Sequence, residues 1–386
     1  MIPPLRTVSL LLTLPLMTVL DQCSTPEGED SIPLLGPGQY LGFIQGFEPI
    51  PTENQATADG LWLEATTAGM KVGRVQLDWA ELEPSPGQYD DDRLEEVLSE
   101  VTDRGVAPML TLSTLDSESY TLPADLQSAD GQSLANGMAF DDPIILTRFE
   151  GLLDWLTPHF LAHEGWAISI GNEVDLRLEA HPEDEASIVG FVSAGVTYLN
   201  TIEPELGGTV TLSNGALRDQ PTLVSSLMGV VDVACFNYYG NLNAPDFSYV
   251  AKDLDERLAV AGDLEVILQE VGYPAGYEDQ PSNIGSTPAD QQAFFEAVIG
   301  KMAQEKRLRV TIVFQLLDWS PWLTNLFMQY YVEAGMPQWW IDRIAEQLRT
   351  MGLCRWEDGS PRPAWDTFLN GVRQFSTVNP TSQGTP

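Results

Sequence analysis

Short apolar runs alternate along the chain with longer stretches in which apolar side chains recur at helical spacing. Runs of apolar and β-branched residues predict strands, and apolar positions three or four apart predict helices. Strands are predicted over residues 41–47, 72–79, 107–113, 209–213, 231–239, 265–270 and 310–319. A further strand, fourth in order, begins at Trp166 and stops abruptly at Gly171-Asn172-Glu173. Helices are predicted over residues 54–70, 90–104, 142–161, 186–202, 289–305 and 338–351.

This alternation of strands and helices is typical of α/β proteins with a parallel sheet. Eight strand–helix units in one run favour a (β/α)8 TIM barrel, and we place it as a single domain at residues 38–376. The alternative is a doubly wound open sheet. It is less favoured because no glycine-rich phosphate loop follows the first strand.

The two ends of the chain have different compositions from the rest. Residues 1–23 combine Arg6 with an apolar run too short to span a membrane, which predicts an export signal and a secreted or cell-surface protein. The Leu-x-x-Cys ending resembles a bacterial lipoprotein signal with Cys23 lipidated; the alternative is an ordinary cleaved signal peptide. Residues 24–37 are predicted to be a linker, and residues 377–386 a disordered tail.

The net charge of −37, from 56 acidic and 19 basic residues, limits the partners. Such a surface repels nucleic acid and anionic membranes, so membrane contact is expected only through a lipid at Cys23. We expect a monomer with a carbohydrate substrate. Cys235 and Cys354 could pair, but buried free thiols are the simpler expectation.

Two carboxylates occupy the ends of predicted strands. Glu173 ends the fourth strand on the same face as Ala167, Ser169 and Gly171. Glu270 ends the seventh, and the alternation with Val266 and Leu268 predicts that it points into the barrel. Its neighbour Gln269 is then expected to point away from the interior and is left out of the site.

Function in a barrel collects at the C-terminal ends of the strands. Two carboxyl groups facing each other there, one protonated and one ionised, are the machinery of glycoside hydrolysis. The alternative is a structural ion pair that includes Arg74. A metal site is not expected because His159, His163 and His181 all lie off the strands, and glycoside hydrolysis of this kind needs no cofactor.

The ends of the fourth and seventh strands resemble those of clan A, or 4/7, glycoside hydrolases, which are (β/α)8 barrels that retain anomeric configuration. Gly171-Asn172-Glu173 and Gln269-Glu270-Val-Gly-Tyr-Pro274 are most like the motifs of family 53 endo-β-1,4-galactanases. The endo-β-1,3-glucanases of family 17 show a similar pair. Asn237-Tyr-Tyr239 resembles the paired-tyrosine stretch of galactanases, although Gly240 stands where those enzymes have Pro.

Two further positions extend the resemblance. Arg74 matches the strand-two arginine of the clan, and Trp319 matches its strand-eight aromatic residue. The resemblance implies β-glycosidase activity, with endo action favoured, on a galactan-like or β-glucan-like substrate. It also implies that the carboxyl groups of Glu173 and Glu270 lie roughly 5 Å apart.

Roles follow from the chemistry of these residues. Glu173 is the proposed general acid/base, with its pKa raised by burial and by the charge of Glu270, the proposed nucleophile. Arg74 and the hydroxyl of Tyr238 or Tyr239 would keep Glu270 ionised. One of the two tyrosines is expected in the core and one in the site, and strand parity leaves open which.

The remaining candidates would contact sugar. Asn172 would hydrogen-bond the 2-hydroxyl beside the cleaved bond, and Asn237 lies at the end of the sixth strand, where it would bind substrate. Trp319 forms either a floor under the sugar ring or part of the core. Asp78 lines a sugar subsite or is satisfied by loop amides.

Two other functions stay open at this point. A non-catalytic carbohydrate-binding protein could use the same barrel, because a fold by itself does not fix a function. A transglycosylase would use the same residues and differ in whether sugar or water accepts the intermediate.

Overall fold

A computed structural model describes residues 38–46, 48 and 50–378. The predicted export signal, Cys23 and the predicted linker lie outside the described residues, as do residues 379–386 of the predicted tail. The final helix continues to Val378, two residues into the segment predicted as tail.

The described residues form a (β/α)8 barrel, as predicted. Its strands are β1 (Tyr40–Phe43), β2 (Val72–Asp78), β3 (Ala107–Ser113), β6 (Ala167–Ser169), β7 (Gly207–Thr209), β8 (Thr211–Leu212), β9 (Ala234–Tyr239), β10 (Val266–Gly272) and β11 (Leu308–Val313). All these strands pair in parallel. A short antiparallel hairpin, β4 (Leu115–Asp116) with β5 (Ser119–Tyr120), follows β3.

Helices cover the outside of the barrel. They are α1 (Thr52–Ala68), α2 (Trp79–Leu82), α3 (Asp91–Thr102), α4 (Pro143–Ala162), α5 (Val174–Ala180), α6 (Glu185–Ile202), α7 (Ala216–Asp219), α8 (Pro221–Met228), α9 (Tyr249–Ala261), α10 (Pro288–Gln304), α11 (Pro321–Glu333), α12 (Gln338–Leu348) and α13 (Pro363–Val378). Single 3-10 turns lie at Ala124–Leu126, Ala135–Gly137 and Pro182–Asp184. Within the part of the chain that the structure describes, no helix is both long and apolar enough to cross a membrane.

Local sequence signals explain where several helices begin. The side chains of Asp90, Asp142, Thr287 and Ser320 each accept a hydrogen bond from a backbone N–H in the first turn that follows. In α4, α10 and α11 a proline then occupies the first helical position, where its missing N–H costs nothing.

The barrel wall is made of two hydrogen-bonded sheets, in the orders β1-β11-β10-β9-β8 and β2-β3-β6-β7. One seam lies at Val210, where the fifth barrel strand is split: β7 pairs with β6, and β8 pairs with β9. At the other seam, between β1 and β2, the backbones approach so closely that a Cβ on Gly42 would overlap the carbonyl oxygen of Val72.

An apolar cluster inside the barrel underlies the site. Each of β2, β3, β6, β9 and β10 contributes one buried residue to it: Val72, Met109, Ala167, Cys235 and Ile267. Two positions further along each strand the inward residues become polar: Arg74, Thr111, Ser169, Asn237 and Gln269. The C-terminal mouth of the barrel is therefore lined by polar side chains standing on an apolar base. Cys235 and Cys354 are buried free thiols, as expected.

The structure corrects the predicted end of the eighth barrel strand. It was predicted over residues 310–319, but β11 ends at Val313. Residues 314–319 are apolar enough to look like strand, yet their backbone groups bond elsewhere: Leu316 N–H donates to Ile44 and Leu317 N–H to Gln45. The tertiary contacts of this loop, rather than its composition, decide its conformation.

The close approach at the β1–β2 seam generates a stability prediction. Gly42→Ala should lower the free energy of unfolding by about 1–3 kcal/mol, because the added methyl group must displace the Val72 peptide or the Ile312 side chain. Urea unfolding measures the loss. The matched control is Gly300→Ala in α10, where a Cβ meets nothing within 4 Å. It should be neutral or stabilise by up to about 1 kcal/mol, because alanine favours a helix. Equal behaviour of the two variants would contradict the prediction.

Candidate active site

The turn after β6 aims Glu173 into the mouth of the barrel. Gly171 (φ 120°) and Glu173 (φ 47°) both adopt positive φ, and α5 starts directly afterwards. The hairpin after β3 clamps the turn: Asn172 N–H donates to the Leu115 carbonyl (2.8 Å), and Ser117 N–H donates to the Asn172 carbonyl (2.9 Å). A reversal this sharp needs the left-handed region, which glycine enters without cost.

The Glu173 carboxyl receives two hydrogen bonds from neutral groups. Asn237 Nδ2 donates to its Oε1 at 3.0 Å. The Ser117 hydroxyl donates to its Oε2 at 3.3 Å. No Arg or Lys among the described residues forms an ion pair with this carboxyl group, so the groups around it stabilise its charged form only weakly.

Glu270, in contrast, is buried against a cation. Arg74 Nη1 donates to its Oε1 at 2.9 Å, and the Tyr239 hydroxyl donates to its Oε2 at 2.5 Å. Its side chain is 9% exposed and that of Arg74 only 1%. Both predicted partners of Glu270 are thus present, with Tyr239 as the tyrosine that provides the hydroxyl.

Strand β9 links the two carboxyl groups. Asn237 contacts Glu173 and Tyr239 contacts Glu270, and these two β9 residues are consecutive on the inward face. Same-face neighbours on a strand are about 6.6 Å apart. The charges of both Glu270 and Glu173 raise the pKa of Tyr239, after burial, which is the largest cause. The two carboxyl groups therefore belong to one site.

The protonation behaviour of the two carboxyl groups differs. Burial, and then the charge of Glu270, raise the pKa of Glu173 to about 8, against a smaller lowering by the Asn237 amide. Burial also raises the pKa of Glu270, but the Arg74 charge and the Tyr239 hydrogen bond oppose that effect. Arg74 forms an ion pair with Glu270 and stabilises its ionised form. When the two carboxyl groups hold one proton between them, that proton therefore lies on Glu173.

A β-bulge in β10 corrects the prediction for Gln269. Between Leu268 and Glu270 the strand advances two residues while its partner β9 advances one, from Phe236 to Asn237. The extra residue resets the alternation, so Gln269 and Glu270 both point into the barrel. Val266 and Leu268, predicted on the inward face, pack in the outer core between barrel and helices.

Gln269 lies beneath the site and is fully buried. Its Oε1 accepts hydrogen bonds from the hydroxyls of Thr111 (3.0 Å) and Thr211 (2.7 Å). Its Nε2 donates to Asn172 Oδ1 at 3.1 Å. Gln269 therefore supports Asn172 from below, a role that a simple alternation of residues could not predict.

Tyr238 is the tyrosine of the pair that lies in the core, so it is removed from the candidate site residues. Its side chain faces the helices: the hydroxyl donates to Asp253 at 3.3 Å, and the ring packs on Phe294. The Arg257 guanidinium lies over the ring, 4.6 Å from its centre. Alternation along β9 explains the difference, since Asn237 and Tyr239 take the inward face.

Trp319 follows the end of β11, and Asp78 is the last residue of β2. Trp319 is half-buried beyond the end of β11 and packs edge-on against Phe327 of α11. A further aromatic ring beside the site is Phe314, which packs edge-on against Tyr239. Asp78 caps α2, and its N–H donates to Glu81 Oε2 at 3.0 Å. Burial, followed by the charges of Glu81 and Asp116, raises the pKa of Asp78 to about 7.

His159 and His163 lie away from this site. His163 Nε2 is 2.9 Å from Glu95 Oε2, and His159 Nε2 is 3.7 Å from Asp91 Oδ1, so both face α3 on the outside of the barrel. In the described part of the chain, no three His, Cys, Asp or Glu side chains are grouped as a metal ion would require.

Sequence reasoning missed several residues that contact the predicted ones. Gln76 follows Arg74 by two positions on β2, so the strand period could have assigned it to the same face. Phe314 could have been found as the first aromatic residue after the eighth strand. Asp116 and Ser117 sit in a hairpin within a long region that shows no periodicity, and nothing in the sequence signals their position.

No protein-family model matches the chain. No curated protein matches it in sequence either.

Solved structures do share its fold. A GH5_18 variant from Streptomyces cattleya in complex with Manβ1-4GlcNAc superposes with a TM-score of 0.63 at 17% identity, covering 90% of this chain and 83% of that one. An exo-β-1,4-mannosidase from Opitutaceae bacterium strain TAV5 gives a TM-score of 0.59 at 16% identity, covering 89% of this chain and 62% of that one. Xylanase 10B from Thermotoga maritima gives 0.59 at 11% identity, covering 89% and 97%. The chain therefore has the TIM-barrel fold that these glycoside hydrolases share.

Proposed function

We propose that the protein is a retaining β-glycosidase that hydrolyses a neutral oligosaccharide or polysaccharide by double displacement. The observation that carries this proposal is the unequal environment of the two carboxyl groups at the barrel mouth. Glu270 is held by a guanidinium and a hydroxyl, whereas Glu173 is held only by neutral donors. One carboxylate and one carboxylic acid in a single site are the groups that glycoside hydrolysis requires.

In the first step Glu270 attacks the anomeric carbon of the sugar. The bond from that carbon to the glycosidic oxygen breaks, and its electron pair stays on the oxygen, which takes the proton of Glu173. A glycosyl ester of Glu270 results. In the second step Glu173, now ionised, takes a proton from water while the water oxygen attacks the same carbon and Glu270 leaves. Two inversions give net retention.

Three other side chains assist this chemistry. Arg74 and Tyr239 hold the Glu270 carboxylate in a fixed orientation before attack. Asn172 is placed beside Glu173 by the turn after β6, and its amide would bond the sugar 2-hydroxyl, a contact that strengthens in the transition state. Asn172 and Tyr239 are neutral and Arg74 is paired with Glu270. The site therefore offers no free charge to bind a charged group on the sugar.

The substrate class follows from charge and from the structural neighbours. A net charge of −37 disfavours polyanionic glycans. The similar structures include an exo-β-1,4-mannosidase and a complex with Manβ1-4GlcNAc, so β-mannosides come first in a screen. Galactans, β-glucans and xylans follow, with products resolved by length to separate endo from exo action. The proposal also places the enzyme outside the cytoplasm, on the strength of residues 1–23.

The two carboxyl groups generate the first activity prediction. Glu173→Gln and Glu270→Gln should each lower kcat/KM by several orders of magnitude with the fold intact, because each removes a group that moves a proton or forms a bond. Circular dichroism checks the fold. The control is Glu205→Gln, an exposed carboxyl on the loop before β7, at the opposite end of the barrel. Near-normal turnover in either site variant would reject the mechanism.

The stereochemical course tests double displacement directly. Proton NMR of the first-formed product should show the β anomer before mutarotation. If the α anomer forms first, the mechanism is instead a single displacement in which water attacks directly. Transfer of the sugar to an added alcohol in preference to water would identify a transglycosylase.

The pKa of Glu173 sets the alkaline limit of activity. The acid must be protonated in the first step, so kcat/KM should fall as the pH rises through about 8. Glu270 must be ionised, and its pKa is raised above 4.5, so the acid limb should lie above pH 4.5. Asn237→Ala removes a donor that favours ionised Glu173 and should move the alkaline limb upward. An unmoved limb would show that another group sets it.

The same pKa predicts how stability changes with pH. Glu173 has a folded pKa of about 8 against an ordinary value of 4.5, so folding holds its proton and stability is lost as the pH rises between these values. Relative to wild type, Glu173→Gln should therefore gain about 1.4 kcal/mol in unfolding free energy for each pH unit across this window. Urea unfolding at several pH values measures the gain. A constant difference would contradict the raised pKa.

A further inference from the structure

A closed ring of hydrogen-bonded side chains surrounds the Arg74 side of the site. Its members come from β2, β3, β10, the turn after β6 and the hairpin after β3. They are Arg74, Thr111, Gln269, Asn172, Asp116 and Gln76. Each consecutive pair in this order is hydrogen-bonded, and Gln76 bonds Arg74 to close the ring.

The first arm of the ring has a fixed direction. Arg74 Nε donates to Thr111 Oγ1 (2.9 Å), and a guanidinium can only donate. The Thr111 hydroxyl must then donate onward to Gln269 Oε1 (3.0 Å), which leaves Gln269 Nε2 to donate to Asn172 Oδ1 (3.1 Å). Asn172 Nδ2 finally donates to Asp116 Oδ1 (2.9 Å).

The second arm runs the same way. Arg74 Nη2 donates to Gln76 Oε1 (2.5 Å), and Gln76 Nε2 donates to Asp116 Oδ2 (2.9 Å). Both arms therefore start at a group that only donates and end at a carboxylate that only accepts. No Arg or Lys in the described ranges forms an ion pair with Asp116, so its charge is met by these two amides. The Ser117 hydroxyl lies 3.4 Å from Asp116 Oδ1, but its single proton is shared with Glu173.

The hairpin holds Asp116 firmly against the turn that carries Asn172. Asp116 and Asn172 form a parallel β-bridge, flanked by the two backbone hydrogen bonds that clamp the turn. On the far side, Arg177 Nη1 donates to the Glu118 carbonyl (3.3 Å), and its guanidinium stacks 4.0 Å above the Tyr120 ring. Asp116 is thus fixed by backbone and side chain together.

We propose that Asp116 is a positioning residue that sets the orientation of the Asn172 amide and, through Gln76, of the Arg74 guanidinium. As the common acceptor, it holds Asn172 with its oxygen toward Gln269, uses one N–H and leaves the second for the sugar 2-hydroxyl. It also fixes the Arg74 fork that bonds Glu270. This inference rests on the proposed glycosidase function, and it adds a determinant that touches neither carboxyl group.

Asp116→Asn is the sharpest test because it keeps the shape and removes one acceptor. An amide presents an oxygen to one arm but an NH2 group to the other, so one donor must face a donor and that arm must break or turn. We expect kcat/KM to fall about 10- to 100-fold, the loss typical of a misplaced contact. With a 2-deoxy substrate the loss should shrink to a few-fold, because the contact that depends on Asn172 is already absent.

Two further variants separate positioning from charge and from folding. Glu118→Gln removes the same charge from the same hairpin without touching the ring and should behave as wild type. Gln76→Met breaks only the second arm. It should lower kcat/KM equally for normal and 2-deoxy substrates, because it acts through Arg74 and not through Asn172. It also keeps the proposal testable if Asp116→Asn does not fold.

A crystal structure of Asp116→Asn gives a readout that does not need activity. A turned Asn172 or Gln76 amide, or a broken arm, supports the positioning role. Asn172, Gln76 and Arg74 all unchanged would overturn it. If the broken arm is the one that runs through Asn172, an equal loss on both substrates from Asp116→Asn would also overturn it. If the wild-type protein cleaves no glycoside, the proposed function is rejected. The crystal structure of Asp116→Asn would still show whether Asp116 orients Asn172 and Gln76.

Discussion

The site depends on keeping two carboxyl groups in different protonation states within one small, largely buried volume. Burial raises the pKa of both, so burial alone cannot separate them. The separation comes from Arg74, which lies 2.9 Å from Glu270 and makes no hydrogen bond to Glu173. A buried guanidinium is itself costly unless its donors are satisfied. The side chains of the ring accept hydrogen bonds from its Nε and Nη2. They therefore reduce the cost of burying the cation that separates the pKa values of the two carboxyl groups.

The barrel supplies the positions for this arrangement through two departures from regular strands. The bulge in β10 gives Gln269 and Glu270 the same side of the wall, so one strand provides both the proposed nucleophile and the support beneath Asn172. The turn after β6 places Asn172 and Glu173 on the mouth with positive φ at Gly171 and Glu173. Regular alternation would have sent one residue of each pair to the helices. Irregular backbone is thus where the site is built.

The fold and the carboxyl pair could be predicted from the sequence. Both follow from the repeated alternation of strand and helix patterns along the whole chain. The order of eight strand–helix units located the ends of the fourth and seventh strands, where Glu173 and Glu270 lie. The strand period of two failed at Gln269, since a bulge is decided by pairing with β9 and leaves no mark on the apolar pattern. Tyr238 and Tyr239 could be divided only once the inward face of β9 was known. Asp116 was out of reach because its position comes from a bridge to Asn172 across 56 residues of chain.

The hydrogen-bond partners of Glu173 are neutral, and this helps to explain how one residue could act first as an acid and then as a base. Asn237 and Ser117 do not titrate, so after burial the main variable cause of the raised pKa is the charge of Glu270. Formation of the glycosyl ester would remove that charge. The pKa of Glu173 would then fall just when it has given up its proton and must accept one from water. A histidine or lysine beside Glu173 would weaken this coupling by adding a charge of its own. An amide at position 237 therefore leaves the protonation of Glu173, the proposed acid/base, dependent on the charge of Glu270, the proposed nucleophile.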